Sequence, residues 1–342
     1  MDVAWIAQFA ASGWLEPLAP YLDTSVLSAD DFFKPVIRTA AIYEGALISL
    51  PVYIDGGLLY YRKDLLEKYG ISKAPATWDE LVSTAKTVIE KETAIKRDLT
   101  GFVWQGAQYE GLVCTFLEFA ASNGGGITLG DSLPIVATKR NREALSFMRR
   151  LIHVDKISPV NISTDMKEEE VRLAFQKGDV LFERNWPYAW KLHQADDSPV
   201  KGKTGITVLP HFKGGRSAAT LGGWHIGLSR FSRRKSRAFS LIASLLSYDV
   251  QKASALELGW NPGRTDVYLD TAIIRALPHL ETLRDVFSHA VGRPNVPYYS
   301  YLSAILQRHL NAAISGTVAV DAALDEAEKE LRVIFNHYSK QQ

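Results

Sequence analysis

Cysteine is almost absent from this 342-residue sequence, in which Cys114 is the only one. A single cysteine can form neither an internal disulfide nor a zinc site built on thiolates. Cys114 lies in the apolar stretch 112–121, so we expect a small buried residue there. Because a secreted protein with a large core can also do without disulfides, this scarcity does not identify the compartment.

An excess of one charge and long apolar runs are missing as well. Lys and Arg together number 39 and Asp and Glu 38, a formal net charge of +1. This balance disfavours nucleic acid or a lipid surface as a partner. No stretch reaches the ~18 apolar residues of a transmembrane helix. The chain opens Met1-Asp2-Val3 without a basic and apolar leader, so either the protein is cytoplasmic or the sequence starts inside a longer one.

The motifs of several enzyme classes are also absent. The sequence has no phosphate-binding glycine loop, no dinucleotide fingerprint, no paired-histidine metal motif and no nucleophile elbow. Gly124–Gly126 follows a predicted helix and is best interpreted as its C-terminal cap. We therefore expect no cofactor, no metal and no catalysis. A glycoside hydrolase using Asp2 and Asp55 stays open, because both lie where a strand gives way to a loop.

Strands and helices alternate along the chain, which predicts an α/β fold with largely parallel sheets. The clearest helix is Thr77–Lys91, where Thr77 and Glu80 form a capping box ahead of residues at helical spacing. The other expected helices are Arg62–Tyr69, Glu110–Asn123, Arg140–Val154, Lys167–Lys177 and Asp321–Tyr338. Because one core rarely grows beyond ~250–300 residues, two lobes are expected.

Aromatic residues are what the sequence has in excess, with 8 Trp and 14 Tyr, many of them in loop-like contexts. A sugar offers hydroxyl groups to carboxylates and Arg, and C–H faces to flat rings. Loops that mix these residue types therefore suggest a saccharide site. Other interpretations stay open, since Trp5 and Trp14 are more simply core residues and Asp55 could cap the turn at Gly56–Gly57.

Six segments, in this order, carry a resemblance to a known family. They are Met1–Phe9 with Gly13–Leu18, Leu50–Asp64, Pro75–Leu81, Asn185–Trp190, Leu221–Trp224 and Gly292–Pro294. With them the chain resembles the bacterial extracellular solute-binding proteins for sugars, the maltose-type group, and within it the trehalose/maltose-binding proteins. The resemblance covers nearly the whole sequence.

The resemblance implies a periplasmic-binding-protein-like fold (type II) with two lobes, each a mostly parallel sheet flanked by helices, joined by a multi-strand hinge. Lobe 1 would comprise 1–56 and 223–266, and lobe 2 would comprise 57–222 and 267–342. The chain would cross between lobes near Gly56–Tyr60, near Gly222–Gly223 and around Asn261–Asp266. Sugar would bind in the cleft between the lobes.

The resemblance also implies roles for eight residues. Asp2 and Asp55 would accept bonds from sugar hydroxyls, Arg293 would donate to them, and the backbone of Gly223 would approach closely. Tyr53 would line the first lobe. Trp186, Tyr188 and Trp224 would stack on sugar rings.

By the same resemblance, the protein would be a periplasmic or extracellular monomer, with a lipoprotein anchor as one option. It would bind a trehalose- or maltose-like disaccharide and deliver it to the permease subunits of an ABC importer, without nucleic acid as a partner. A receptor of the same fold for a non-sugar solute, such as a polyamine or a phosphodiester, is the alternative, although Arg293 disfavours a cation.

One departure concerns the start of the chain. Members of the family begin with a strand, a helix and a second strand ahead of the segment that opens here. We therefore expect an N-terminally truncated form, whose first lobe exposes strand edges and apolar surface.

Overall fold

The chain folds into two compact units in a computed structural model that describes residues 1–129 and 133–339. Unit 1 comprises Met1–Gly56 and Thr220–Ser300, and unit 2 comprises Gly57–Ala219 and Tyr301–Gln342. The chain therefore changes unit three times. No helix in the described ranges is long and apolar enough to cross a membrane.

Unit 1 is built on a three-stranded sheet and a two-stranded ribbon. The strands are β1 (Leu15–Glu16), β2 (Ile42–Tyr43), β3 (Ala46–Leu47), β4 (Ser49–Gly56) and β9 (Leu221–Ser229). The sheet has the order β1–β9–β4, and the ribbon pairs β2 with β3. The helices are α1 (Ile6–Ala11), α2 (Lys34–Val36), α9 (Lys235–Leu245), α10 (Tyr248–Ala253), α11 (Thr271–Ala276) and α12 (His279–Ser288).

Unit 2 is built on a four-stranded sheet. The strands are β5 (Leu58–Arg62), β6 (Thr100–Val103), β7 (Val180–Asn185) and β8 (Thr204–Thr207), in the spatial order β6–β7–β5–β8. The helices are α3 (Lys63–Lys68), α4 (Trp78–Ala94), α5 (Glu110–Ser122), α6 (Lys139–His153), α7 (Glu168–Gln176), α8 (Ala189–His193), α13 (Tyr299–Ile314) and α14 (Val320–Ser339). The first two residues of α13, at positions 299 and 300, still belong to unit 1.

Short 3-10 and π turns complete both units. They are Val3–Trp5, Ala19–Tyr21, Ala29–Asp31, Ile37–Ala41, Val160–Ser163, Ser254–Leu258 and Asp266–Leu269.

The expectation of mostly parallel sheets is wrong at the level of strand pairing. Strand β9 pairs antiparallel with β1 and with β4, and β5 pairs antiparallel with β7 and with β8. Among the strands of the described ranges, β6 and β7 form the parallel pair. The physical reason in unit 1 is the path of the chain. Strand β4 leaves the unit at Gly56 and β9 re-enters it at Thr220, so neighbouring strands at this place run in opposite directions.

The third crossing lies about 35 residues later than expected, at Ser300 rather than around Asn261–Asp266. The segment 267–300 belongs to unit 1 because its aromatic residues complete that unit's core. The ring of Phe33 contacts Tyr268 at 5.2 Å and Phe287 at 5.6 Å between ring centroids. Amphipathic helices do not reveal from sequence which of two cores they cover. The first two crossings, at Gly56 and Thr220, fall at or within three residues of the predicted bounds 56 and 223.

Helix ends in unit 2 follow local sequence signals. At α4 the Thr77 hydroxyl accepts from the backbone N–H of Glu80, and the Glu80 carboxylate accepts from the N–H of Thr77, which is the predicted capping box. At the end of α5, Gly124 takes the left-handed backbone conformation with φ +77°, the predicted cap. Cys114 is buried within α5, as expected.

The core of unit 2 forms around Trp78 at the start of α4. Its ring stacks on Phe119 with centroids 4.0 Å apart, and its indole N–H donates to the Ser122 hydroxyl at 3.0 Å. Because the capping box fixes where α4 begins, it also fixes where Trp78 enters the core.

Replacing Thr77 by Ala should lower the free energy of unfolding by about 1 kcal/mol, since the first turn of α4 loses its cap. Chemical denaturation of both proteins measures the difference. Thr77→Ser, which keeps the hydroxyl, is the control and should change stability by less than half as much. Equal stability of Thr77→Ala and the parent would contradict the capping role.

Candidate functional site

The eight predicted site residues fall into both units. Asp2, Tyr53, Asp55, Gly223, Trp224 and Arg293 belong to unit 1, and Trp186 and Tyr188 belong to unit 2.

In unit 1, the antiparallel pairing of β4 with β9 sets Tyr53 beside Trp224. The two residues are register partners, and their rings lie nearly parallel, with centroids 6.4 Å apart. Trp224 is 51% exposed, although its strand neighbours Gly223 and His225 are buried. An indole held open beside a second ring is the type of surface that covers the C–H face of a sugar.

Gly223 makes this pairing sterically feasible. Its φ is +110°, a region that favours glycine, and a Cβ there would overlap the backbone carbonyl of Tyr53 and lie 2.7 Å from the Cα of Ile54. A side chain at position 223 would therefore collide with β4 of the same unit.

Asp2 and Arg293 form an ion pair in unit 1. The guanidinium Nη2 of Arg293 donates to Oδ1 of Asp2 at 3.2 Å, and that oxygen also accepts from the N–H of Ala4 at 2.8 Å. The Arg293 side chain is 6% exposed and the Asp2 side chain 29%. The backbone of Asp2 also pairs with Trp224 in an isolated antiparallel β-bridge, so the two residues are neighbours in the fold. The pair leaves the carboxylate partly open to solvent.

Asp55 is oriented by Asn261, a residue that the sequence predicted to lie at a chain crossing. The side-chain amide of Asn261 donates to Oδ1 of Asp55 at 2.9 Å, and the Asn261 carbonyl accepts from the N–H of Ile54 at 3.0 Å. The preceding Trp260, 42% exposed, lies 5.2 Å from Tyr53 between ring centroids. Trp260 and Asn261 are therefore additional candidates. The signal was an aromatic-amide pair at a Gly-Trp-Asn-Pro-Gly turn, which resembles the other aromatic loops.

The electrostatic setting of Tyr53 follows from this crowding. Burial, and then the negative charges of Asp55 and Asp2, raise the pKa of Tyr53 to about 12. The phenol therefore remains a neutral hydroxyl at physiological pH, able both to donate and to accept a hydrogen bond.

In unit 2, Trp186 follows β7 and is fixed from several sides. The backbone N–H of Trp186 donates to the side-chain oxygen of Asn185 at 2.8 Å, and its backbone carbonyl accepts from the Tyr60 hydroxyl at 2.8 Å. The guanidinium of Arg184 lies 4.1 Å from the centre of its ring. The backbone of Trp186 is therefore held by Asn185 and by Tyr60 of β5, and its half-buried ring packs against Arg184 of β7.

Tyr188, two residues further on, is anchored by its hydroxyl. It donates to the carboxylate of Glu169 at 2.6 Å. Burial and the bond to Glu169 raise the pKa of Tyr188 well above its usual range. The phenol stays protonated, and its half-buried ring stands in the same loop as Trp186.

Two predicted core residues are not buried. Trp5 is 47% and Trp14 46% exposed, and Phe9 stands between them at 6.3 and 5.1 Å. In residues 1–129 and 133–339, no group of three or more His, Cys, Asp or Glu side chains is arranged to hold a metal ion.

Comparison with known proteins is consistent across sequence and structure. The sequence profile described as "Bacterial extracellular solute-binding protein" matches residues 1–252. A Deinococcus radiodurans protein named "Probable ABC transporter-binding protein" is 39% identical over 251 residues, which are 73% of this chain and 59% of that protein. The chain thus spans less than two thirds of the length of this relative.

Two solved structures extend the likeness to almost the whole chain. The maltose-bound T. maritima protein MalE3 is 41% identical, with a TM-score of 0.87 over 98% of this chain and 83% of that one. A solute-binding protein from Thermotoga lettingae TMO, bound with α-D-tagatose, is 25% identical, with a TM-score of 0.85 over 98% and 84%. The prediction of a two-lobed, periplasmic-binding-protein-like α/β fold is confirmed.

Directly behind the exposed Trp224, His225 is buried and its Nδ1 lies 3.0 Å from the Ser49 hydroxyl. Burial, reinforced by the charged amine of Met1, lowers the pKa of His225 to about 3. The unfolded chain binds this proton at the usual pKa of ~6.5, whereas the folded chain does not. The stabilisation is therefore complete above pH 6.5 and is lost as pH falls towards 3.

Between pH 7 and pH 5, His225 should reduce the free energy of unfolding by about 2 kcal/mol. Denaturant titrations at both pH values measure this drop, and His225→Asn should show a drop smaller by that amount. His289→Asn is the control, because that side chain is 59% exposed. The same pH dependence in His225→Asn and the parent would refute the assignment.

Proposed function

We propose that this chain, which belongs to the bacterial extracellular solute-binding protein family, binds a small saccharide and performs no chemistry on it. The observation that carries the proposal is the cluster of unit 1, in which the half-exposed Trp224 stands beside Tyr53 and the Asp2–Arg293 pair. Sugar recognition needs a flat apolar face and charged hydrogen-bonding groups side by side, and this cluster supplies both.

The hydrogen-bonding groups of this cluster suit neighbouring hydroxyls. Asp2 keeps a partly exposed carboxylate that can accept further bonds, and Asp55 is held at a fixed orientation by Asn261. The neutral Tyr53 phenol adds a group that donates and accepts. Because contacts within the protein orient these groups, little conformational entropy should be lost on binding.

Unit 2 would contribute the second aromatic surface. Trp186 and Tyr188 lie in one loop. Hydrogen bonds hold the backbone of Trp186 and the side-chain hydroxyl of Tyr188. We propose that these rings, too, pack against the C–H faces of a saccharide.

The ligands named for similar proteins support a carbohydrate. The similar T. maritima protein is described as maltose-bound, and the Thermotoga lettingae protein as bound with α-D-tagatose. We propose a disaccharide of the maltose or trehalose type, because this chain is 41% identical to the protein described as maltose-bound. Delivery to the permease of an ABC importer, in the periplasm or outside the cell, completes the proposed role.

Isothermal titration with maltose, trehalose and sucrose tests this function. A dissociation constant near 1 μM, about −8 kcal/mol, would suit a receptor that captures and later releases its ligand. The sugar should be recovered intact after incubation, whereas cleavage products would favour a hydrolase using Asp2 and Asp55. Absence of heat with all saccharides would contradict the proposal.

Trp224→Ala should weaken binding of the preferred disaccharide by about 1–3 kcal/mol, taking stacking on nucleobases as the guide to the loss of one ring face. The matched control is Trp14→Ala, since Trp14 is 46% exposed in the same unit but lies outside the cluster. Titration calorimetry compares the two variants. Equal affinity of Trp224→Ala and the parent would remove Trp224 from the site.

A further inference from the structure

A fully buried ion pair lies beneath Trp186 in unit 2. Arg184 donates through Nε to Oε2 of Glu118 at 2.7 Å and through Nη2 to Oε1 at 2.5 Å. The two side chains are 0% and 1% exposed. Such a pair is weak evidence for stability, because desolvation of both charges offsets their attraction. A different role would account for a buried charge at this place.

The geometry of Arg184 connects the pair to the aromatic loop. Its guanidinium lies 4.1 Å from the centre of the Trp186 ring and also donates through Nη1 to Gln105 at 3.1 Å. With all three of these nitrogens engaged, the planar group cannot rotate freely. The indole therefore packs against a planar guanidinium group of fixed orientation, which a flexible apolar side chain would not provide.

The same ion pair restricts which residue type fits at position 57, the first residue of unit 2. A Cβ on Gly57 would overlap the Glu118 carboxylate and lie 2.7 Å from Nη2 of Arg184. Gly57 directly follows the point where the chain leaves unit 1. Only a residue without a side chain lets β5 start against the pair, and β5 also supplies the Tyr60 hydroxyl that holds the Trp186 carbonyl.

We infer that Arg184, Glu118 and Gly57 act together as positioning residues that fix the Trp186 ring for ligand contact. None of the three needs to touch the sugar. They would change affinity only through the position of the Trp186 ring. The affinity test of this inference rests on the proposed saccharide binding, whereas its spectroscopic test does not.

The central variant replaces both charges together, as Arg184→Met with Glu118→Leu. Removing one partner alone would leave a buried charge and could unfold the protein, whereas replacing both by apolar side chains is often tolerated. We expect about a 10-fold loss of affinity for maltose. In the background of Trp186→Ala, the same double replacement should cost less than about twofold, because the ring through which it acts is gone.

Two controls separate positioning from general stability. The pair Lys68–Glu92, elsewhere in the same unit, can be replaced as Lys68→Met with Glu92→Leu. That change should leave maltose affinity unchanged, whatever it does to the denaturation midpoint. Arg184→Lys, which keeps the charge without the fork, should lose less affinity than the double replacement.

Indole N–H signals in a ¹⁵N–¹H spectrum provide a readout that needs no sugar. The Trp186 signal, assigned with Trp186→Phe, should shift or broaden in the Arg184→Met, Glu118→Leu protein. The signals of Trp78 and Trp104, bonded to Ser122 and Ser158, should stay in place. An unchanged Trp186 signal would overturn the inference whether or not sugar binds.

Affinity for maltose supplies the second test. Equal losses with and without Trp186, or no loss, would also overturn the positioning role in a protein that binds maltose. A parent protein that binds none of the saccharides would contradict the proposed function instead, and the indole spectrum would still decide the inference.

Discussion

The antiparallel pairing of β4 with β9 determines how the candidate groups of unit 1 are arranged. One strand leaves the unit at Gly56 and the other returns at Thr220, so the path of the chain itself requires opposite directions. Glycine at 223 lets the strands approach, and the register then sets Trp224 opposite Tyr53. The Asp2–Arg293 ion pair and the hydrogen bond from the Asn261 amide to Asp55 both lie beside this pair of strands.

In unit 2, a buried ion pair lies against the Trp186 ring, in addition to the hydrogen bonds that hold the Trp186 backbone. The Arg184–Glu118 pair lies in the interior, and Gly57 lacks the side chain that would collide with it. In unit 1, Gly223 precedes Trp224 on β9, which pairs with β4. In unit 2, Gly57 precedes β5, and Trp186 follows β7, the strand that pairs with β5. Contacts of this kind restrict the orientation of a ring, which limits the entropy lost when a sugar is bound.

Local signals in the sequence predicted elements well but could not predict pairings. The Thr77 cap and the Gly124 stop define helices by chemistry within a few residues, and both were found in the structure. Strand direction and the unit to which 267–300 belongs depend on distant contacts such as Phe33 with Tyr268, which no local pattern contains. For the same reason Arg184 was missed, because its role depends on its distant partner Glu118 and not on its neighbours in sequence.

Equilibrium dialysis with radiolabelled maltose and trehalose would show whether this chain is a saccharide receptor without catalytic activity. We expect saturable binding of one disaccharide per chain, with the label recovered as intact sugar after many hours. Label distributed equally on both sides of the membrane for both sugars, or recovered as glucose, would contradict this function.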